Sequence, residues 1–205
     1  LNILAKVRQL KLPEGAPVRI EEVLSRFQAS LEEFSDYIAD ISYFSALMNK
    51  HDRRPRLTEF ALRPVAQKVV SRFPSKQLAA TNILITLPEG LQVRSSSEIV
   101  DTILFNLVGN ALKYAGDSET ITIGAEVAGG YVVLFVQDQG PGIAREYHGK
   151  IFEKFYRIKD DRVYEKKGTG LGLYLCRFFA RKIGGDMSLQ SELGQGARFQ
   201  LKIPL

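Results

Sequence analysis

Apolar residues recur in alternating steps of four and three from Ile20 to Met48, through Leu24, Phe27, Leu31, Phe34, Ile38 and Ile41, with Ser45 interrupting the series. That spacing is a heptad seam and predicts a long helix over residues 18–50. Val23, Tyr37 and Phe44 widen the stripe beyond what a two-stranded coil buries, so the helix is expected to pack in a bundle. Leu1–Leu12 reads as a shorter helical piece that stops at Pro13-Glu14-Gly15-Ala16-Pro17, a breaker cluster able to turn it back as an incomplete partner arm. After His51-Asp52-Arg53-Arg54-Pro55 the periodicity changes, which places a boundary between a helical piece, 1–52, and a mixed domain, 56–205.

The mixed part predicts a strand over Leu57–Phe60, a helix over Leu62–Phe73, strands around Ile83–Leu87 and Leu91–Arg94, and a helix over Glu98–Ala115. A hairpin follows, Ile121–Val127 to Tyr131–Gln137 across Gly129-Gly130, then a glycine-punctuated stretch to a helix over Leu171–Ile183. Strands Met187–Ser191 and Arg198–Ile203 close the chain around Gly194-Gln195-Gly196. Without strict βαβ alternation this is an α+β fold: a two-layer α/β sandwich, one mixed sheet covered by helices on one face, preceded by the long bundle-forming helix.

Composition narrows the class. The 205 residues suffice for one ordinary domain plus an appendage, and 45% hydrophobic with 25% charged residues is a globular balance. The single cysteine, Cys176, cannot form an internal disulfide, and no Cys/His spacing suits zinc, so it reads as a small core residue of a reducing compartment. No apolar run reaches membrane-helix length, so the chain is expected to be soluble. A net charge of +5 invites a nucleic-acid reading, but the basic residues are scattered, clustering only at Arg53-Arg54 and Lys166-Lys167. With no accompanying motif, no nucleic-acid partner is expected.

Three segments carry candidate chemistry. Ser95-Ser96-Ser97-Glu98 can form a capping box, and the helix it starts has an apolar face of Val100, Ile103, Leu104, Leu107, Val108, Ala111 and Leu112. Beside that face Asn106, Asn110 and Lys113 stand at i, i+4 and i+7, where amide oxygens suit a hard cation and an ammonium suits phosphate; a structural or solvated stripe is the plain alternative. Asp138-Gln139-Gly140-Pro141-Gly142-Ile143 follows a strand, so its carboxylate can accept from an exocyclic amine while glycine backbone passes close to a flat ring. It reads equally as a Gly-Pro turn. Gly168-Thr169-Gly170-Leu171-Gly172-Leu173 opens a helix and can present backbone N–H groups to an anion, without the spacing of a dinucleotide fingerprint or a Walker loop.

Taken in order, with Phe152-Glu153-Lys154-Phe155-Tyr156-Arg157 between the last two, these segments resemble the ATP-binding superfamily of gyrase, the heat-shock chaperone, mismatch-repair ATPases and histidine kinases. Sensor histidine kinases of two-component systems fit best. Their asparagine box resembles Asn106–Ala115, their first glycine box Asp138–Ile143, their phenylalanine box Phe152–Arg157 and their second glycine box Gly168–Leu173, and the likeness spans about Leu57–Leu205. The resemblance implies ATP and Mg²⁺: Asn110 as the metal ligand, Asn106 and Lys113 facing the phosphates, Tyr114 near the nucleotide and Asp138 reading the adenine amino group. It implies further that Gly140, Gly142 and Ile143 line the base, and that Ala144–Lys167 form a mobile lid anchored by Phe152 and Phe155, with Phe155 also at the nucleotide. Gly168, Thr169, Gly170, Leu171 and Gly172 would hold the phosphates. Hydrolysing members of the superfamily resemble one another in placing a glutamate base where this chain has Asn106. An amide takes no proton at neutral pH, so the site suits holding ATP for an external nucleophile.

In the resembling kinases that nucleophile is a histidine on the first arm of a dimerisation hairpin, and residues 18–50 resemble the second arm. Of the two histidines here, His51 lies in the linker without the family's surrounding pattern, and His148 falls in the lid, where it is expected to be exposed. Leu1-Asn2-Ile3-Leu4 resembles the residues just after that motif's proline, which implies that the chain begins shortly downstream of the phosphoacceptor histidine, with a parent that has lost this histidine as the alternative. The implied partners are that histidine, a response regulator receiver domain and a second copy in a parent homodimer. The implied place is the cytoplasm, with an anchor in the bacterial inner membrane left open. Two alternatives stand beside this reading: a non-catalytic nucleotide-binding and dimerisation module, and a serine-phosphorylating relative.

Overall fold

The computed structural model describes residues 55–79, 81–114, 120–158 and 169–205, and part of the stretch between 24 and 45. The chain falls into two compact units, Leu1–Lys50 with Lys167–Thr169, and His51–Lys166 with Gly170–Leu205. In the first unit every described residue between 24 and 45 is helical. Of the heptad seam, Leu24 and Leu31 are partly buried, whereas Phe27, Phe34, Ile38 and Ile41 are about half exposed. The expected short arm Leu1–Leu12, the breaker cluster, Ile20, Val23, Tyr37, Phe44, Met48 and His51 lie outside the described residues. No helix among the described residues is long and apolar enough to cross a membrane.

The second unit begins with strand β1 (Thr58–Ala61), helix α1 (Leu62–Ser71) and a short helix α2 (Ser75–Ala79), followed by strands β2 (Asn82–Ile85) and β3 (Gln92–Ser95). Helix α3 (Ser97–Tyr114) leads to the hairpin β4 (Thr120–Ala128) and β5 (Tyr131–Gln137), two 3-10 turns at Arg145–Tyr147 and Lys150–Phe152, helix α4 (Gly172–Lys182), and strands β6 (Asp186–Ser191) and β7 (Ala197–Pro204). The main sheet runs β2-β4-β5-β7-β6, parallel only between β2 and β4. The expectation of a single sheet is corrected: β1 and β3 pair antiparallel in a two-stranded sheet of their own.

Period-two alternation decides which face the helices cover. Ile121, Ile123, Val132, Leu134, Val136, Phe199, Leu201 and Ile203 are buried on one face. Against it lie Leu62, Ala66 and Val69 of α1, the row Ile99, Val100, Ile103, Leu104, Leu107, Val108 and Ala111 of α3, and Leu175, Cys176, Phe179 and Ala180 of α4. Burying a row of such side chains at about 1.5–3 kcal/mol each is what fixes α3 against the sheet. At its outer edge α3 is tied to the end of α1 by Arg72, which pairs with Asp101 at 2.5 Å and lies 4.2 Å from the Phe105 ring centre. The capping box does not form with Ser95: that residue belongs to β3, and its buried hydroxyl has no hydrogen-bond partner among the described residues.

Candidate functional site

Helix α3 presents one edge of its buried face to the site. Asn106 donates from Nδ2 to the Thr102 carbonyl at 3.0 Å, and a Cβ on Gly172 would stand 3.1 Å from its Oδ1. Asn106 therefore directs an acceptor at the first turn of α4, where the helix dipole is positive. Asn110, one turn on from Asn106, is partly buried at the same edge of α3. Lys113 sits 5.1 Å from the Tyr114 ring centre, and burial raises the Tyr114 phenol above its ordinary value of 10.0 against the opposing charge of Arg157. The end of α3 thus meets the end of the phenylalanine segment.

The loop after β5 is built onto the C-terminal end of α3 and onto the β6–β7 turn. Asp138 is buried, and its Oδ1 accepts from the backbone N–H groups of Gly140 at 3.0 Å and Ala197 at 3.1 Å. Two backbone donors on one oxygen fix the orientation of the carboxyl group. A Cβ on Gly140 would lie 2.9 Å from the Tyr114 carbonyl oxygen, so only glycine lets this loop close on α3. Gly142 has φ 71° and its Cβ position falls on the Glu192 carbonyl oxygen. The Gly194 N–H donates to Pro141 O at 2.8 Å, and the Ile143 N–H to the Ser191 hydroxyl at 2.8 Å.

The described part of the expected lid, residues 144–158, contains the two 3-10 turns, and residues 159–168 lie outside the described residues. Phe152 is buried beneath the Arg177 guanidinium, 5.2 Å from the ring centre, and Arg177 in turn pairs with Asp186 at 3.3 Å. The expectation that Phe155 also anchors the lid is corrected. Its ring is 59% exposed, because φ 61° turns the backbone left-handed there and leaves the side chain outside the packed layer. What Phe155 supplies is its backbone: its N–H donates to Gly170 O at 3.1 Å, and Gly170 passes so close that a Cβ would come within 2.8 Å of the Phe155 and Tyr156 main chain. Leu171, buried, caps the start of α4.

The structure brings Asn106 to Gly172 at the first turn of α4, Lys113 to Tyr114, Gly140 of the Asp138 loop to Tyr114 at the end of α3, and Gly170 to the main chain of Phe155 and Tyr156, while Gly142 and Ile143 meet the β6–β7 turn. Gly168 lies outside the described residues, and Thr169 groups with the first unit. Several contacts had no signal in the sequence: the Ser191 hydroxyl under Ile143, Arg177 over Phe152, and Arg157 beside Tyr114. Nor is His148 exposed as expected; it is partly buried, with Nε2 2.9 Å from the Ile143 carbonyl oxygen.

Comparison with known proteins adds to this geometry. The family described as histidine kinase-, DNA gyrase B- and HSP90-like ATPase matches residues 96–205. The sensor protein SrrB of Staphylococcus aureus is 36% identical over 105 residues, 51% of this chain and 18% of that protein, so the match covers under a fifth of such a curated relative. The solved catalytic domain of the histidine kinase ThkA is similar with a TM-score of 0.63 and 30% identity, covering 72% of this chain and 95% of that one. The Acinetobacter baumannii histidine kinase AdeS shares the fold over 99% of this chain and 93% of its own, with a TM-score of 0.67 and 22% identity.

Proposed function

The chain belongs to the histidine kinase-, DNA gyrase B- and HSP90-like ATPase family as the ATP-binding catalytic portion of a sensor histidine kinase, and from that premise we propose that it positions ATP for transfer of the γ-phosphoryl group to a histidine that is not one of the two in this sequence. The observation that carries this reading is the closure of the Asp138 loop onto α3: Gly140 seats on the Tyr114 carbonyl and two backbone N–H groups hold the Asp138 carboxylate. A fixed carboxyl acceptor beside glycine backbone is what an adenine amino group and ring require. On the same reading Gly142 and Ile143 line the base, and Gly170, Leu171 and Gly172 offer the amides of α4's first turn to the phosphates. Lys113 stands near enough to Tyr114 to reach the same tail.

Asn110 would hold magnesium, since an amide oxygen suits a hard cation and this one stands on the edge of α3 one turn from Asn106. Magnesium when bound neutralises charge on the phosphate oxygens. The position four residues earlier is occupied by Asn106, whose amide is already committed to Thr102 O and to the start of α4. It neither takes a proton nor orients a water as a base would, so the chain holds the triphosphate without hydrolysing it. The phosphorylated histidine would pass its group to a response regulator, and the helix within residues 18–50 would pair with a second copy, with 1–52 as the partial dimerisation hairpin and 56–205 as the catalytic domain.

The test has two arms. ATP titration of the wild type against Asn110→Ala and Asp138→Ala should show affinity falling about tenfold or more in each, equivalent to 1.4 kcal/mol; unchanged affinity in both removes the site. Supplying a histidine-bearing hairpin with labelled ATP should yield acid-labile label on that partner. Nucleotide binding without transfer would leave the chain a binding module.

A further inference from the structure

The sheet face opposite the helices is not featureless. Gln137, Arg198 and Gln190 lie side by side across β5, β7 and β6, alternating with the buried Val136 and Phe199, so they point away from the helical layer. Above them a cavity of about 850 Å³ opens between the turn at Arg145–Tyr147 and the β6–β7 turn. That volume is in the range of small-molecule sites, roughly 300–1,000 Å³. Its lining includes the two arginines Arg145 and Arg198, one carboxylate, Glu192, and the apolar Ile143 and Leu193, the latter 63% exposed.

Arg198 is held as a ligand-binding arginine would be. Its guanidinium lies 3.6 Å from the centre of the Phe135 ring and pairs through Nη2 with Glu126 at 3.0 Å. Phe135 is itself laid across Gly124, where any Cβ would fall on the ring. Yet Arg198 Nε is buried with no hydrogen-bond partner among the described residues. A charged donor without an acceptor is unfavourable, and a carboxylate oxygen is the acceptor that would complete it. Glu192 in the same wall disfavours a phosphate dianion, and the apolar patch at Ile143 and Leu193 suits a hydrocarbon body.

We propose that this cavity binds a small amphipathic monocarboxylate, its carboxylate on Arg198 and Arg145 and its apolar body against Ile143 and Leu193. The cavity shares a wall with the Asp138–Ile143 loop. Ser191 receives the Ile143 N–H, Glu192 carbonyl oxygen abuts Gly142, and His148 meets the Ile143 carbonyl. Occupancy therefore changes nucleotide affinity, a consequence that rests on the nucleotide reading above; the carboxylate site itself does not.

The experiment follows amide and Arg Nε–H resonances of the full chain during titration with 4-phenylbutyrate, with the uncharged 4-phenylbutanol as control. Saturable shifts at Leu193, Gly196, Ala197 and Arg198 Nε–H are expected, with half-saturation below about 1 mM. Arg198→Lys, which keeps the charge and loses the fork, and Leu193→Glu, an exposed turn position, should each weaken binding about tenfold. An absent or unsaturable response, an equal response to the alcohol, or undiminished binding in Leu193→Glu overturns the site. ATP affinity measured with the probe at saturation should shift about fivefold or more, and an unshifted value sinks the coupling. A chain that binds the probe but no ATP fails the nucleotide reading and leaves the carboxylate site standing.

Discussion

At Gly142 the backbone has φ 71° and the space a side chain would take is filled by the Glu192 carbonyl, whereas Gly90, with φ 72°, has nothing within 4 Å of its would-be Cβ. The pair separates two costs of one substitution. Gly90→Ala carries only the left-handed penalty, about 1–2 kcal/mol, which lowers the melting midpoint by roughly 2–8 °C at about 2–4 °C per kcal/mol. Gly142→Ala adds a backbone clash that can be relieved only by breaking the Pro141–Gly194 and Ile143–Ser191 bonds. It should therefore cost at least about twice as much and also weaken ATP binding; equal midpoints in a thermal melt would refute this. Cys176 gives a pH test. Burial pushes its thiol from 9.0 up to about 12. The folded chain binds a proton that the unfolded chain has released, so stability is intact below pH 9 and falls by up to about 1.4 kcal/mol per unit as pH rises toward 12. Urea titrations of wild type and Cys176→Ala across that window should show the shallower slope in the variant. At pH 8 a thiol reagent should label Cys176 far more slowly in the folded chain than in the unfolded one.

The phenylalanine segment is an element whose two rings do opposite things. Phe152 is buried under Arg177, so Phe152→Ala should cost about 3–5 kcal/mol. Phe155 is exposed in a left-handed conformation that glycine adopts freely, so Phe155→Gly should leave the unfolding free energy unchanged or raise it by up to about 1 kcal/mol. Paired denaturant melts decide it, and a large loss in Phe155→Gly would mean that the ring carries packing energy after all. The two positions look alike in the sequence because spacing records residue type and not φ. The same limit explains what else was legible. Strands β4 and β5 and helix α3 could be placed within a residue or two because alternation and the 3.6 period are dictated by burial on one face. Helix α2 and the two 3-10 turns carry no such periodicity, and β1 pairs with β3 across 30 intervening positions in a sheet that no local pattern announces. In the proposed site, motif order singled out the side chains. It did not single out their supports, since the Ser191–Ile143 bond spans 48 positions and joins elements that only tertiary packing brings together.

On the scale of the whole molecule, the first unit contrasts with the second. The sheet domain buries a continuous apolar core beneath three helices, and its exposed apolar residues, Phe155 and Leu193 among them, are scattered. The helical residues between 24 and 45 instead leave Phe27, Phe34, Ile38 and Ile41 exposed at 54%, 63%, 51% and 49%, spaced by seven, four and three. A stripe at that spacing costs about 25 cal/mol per Å² of apolar surface for as long as it faces water, and it is recovered by a neighbouring helix with matching periodicity. A second copy offers such a helix through a two-fold axis, on which each stripe meets its own counterpart. The chain should therefore self-associate, with a sedimentation coefficient that rises with concentration. Replacing Phe34 and Ile41 together by glutamate should hold it monomeric at the highest concentration measured, while ATP affinity stays within about twofold of wild type, because neither residue belongs to the proposed nucleotide site. A wild-type chain that sediments as a monomer at every concentration would show that the stripe is covered by something other than a second copy.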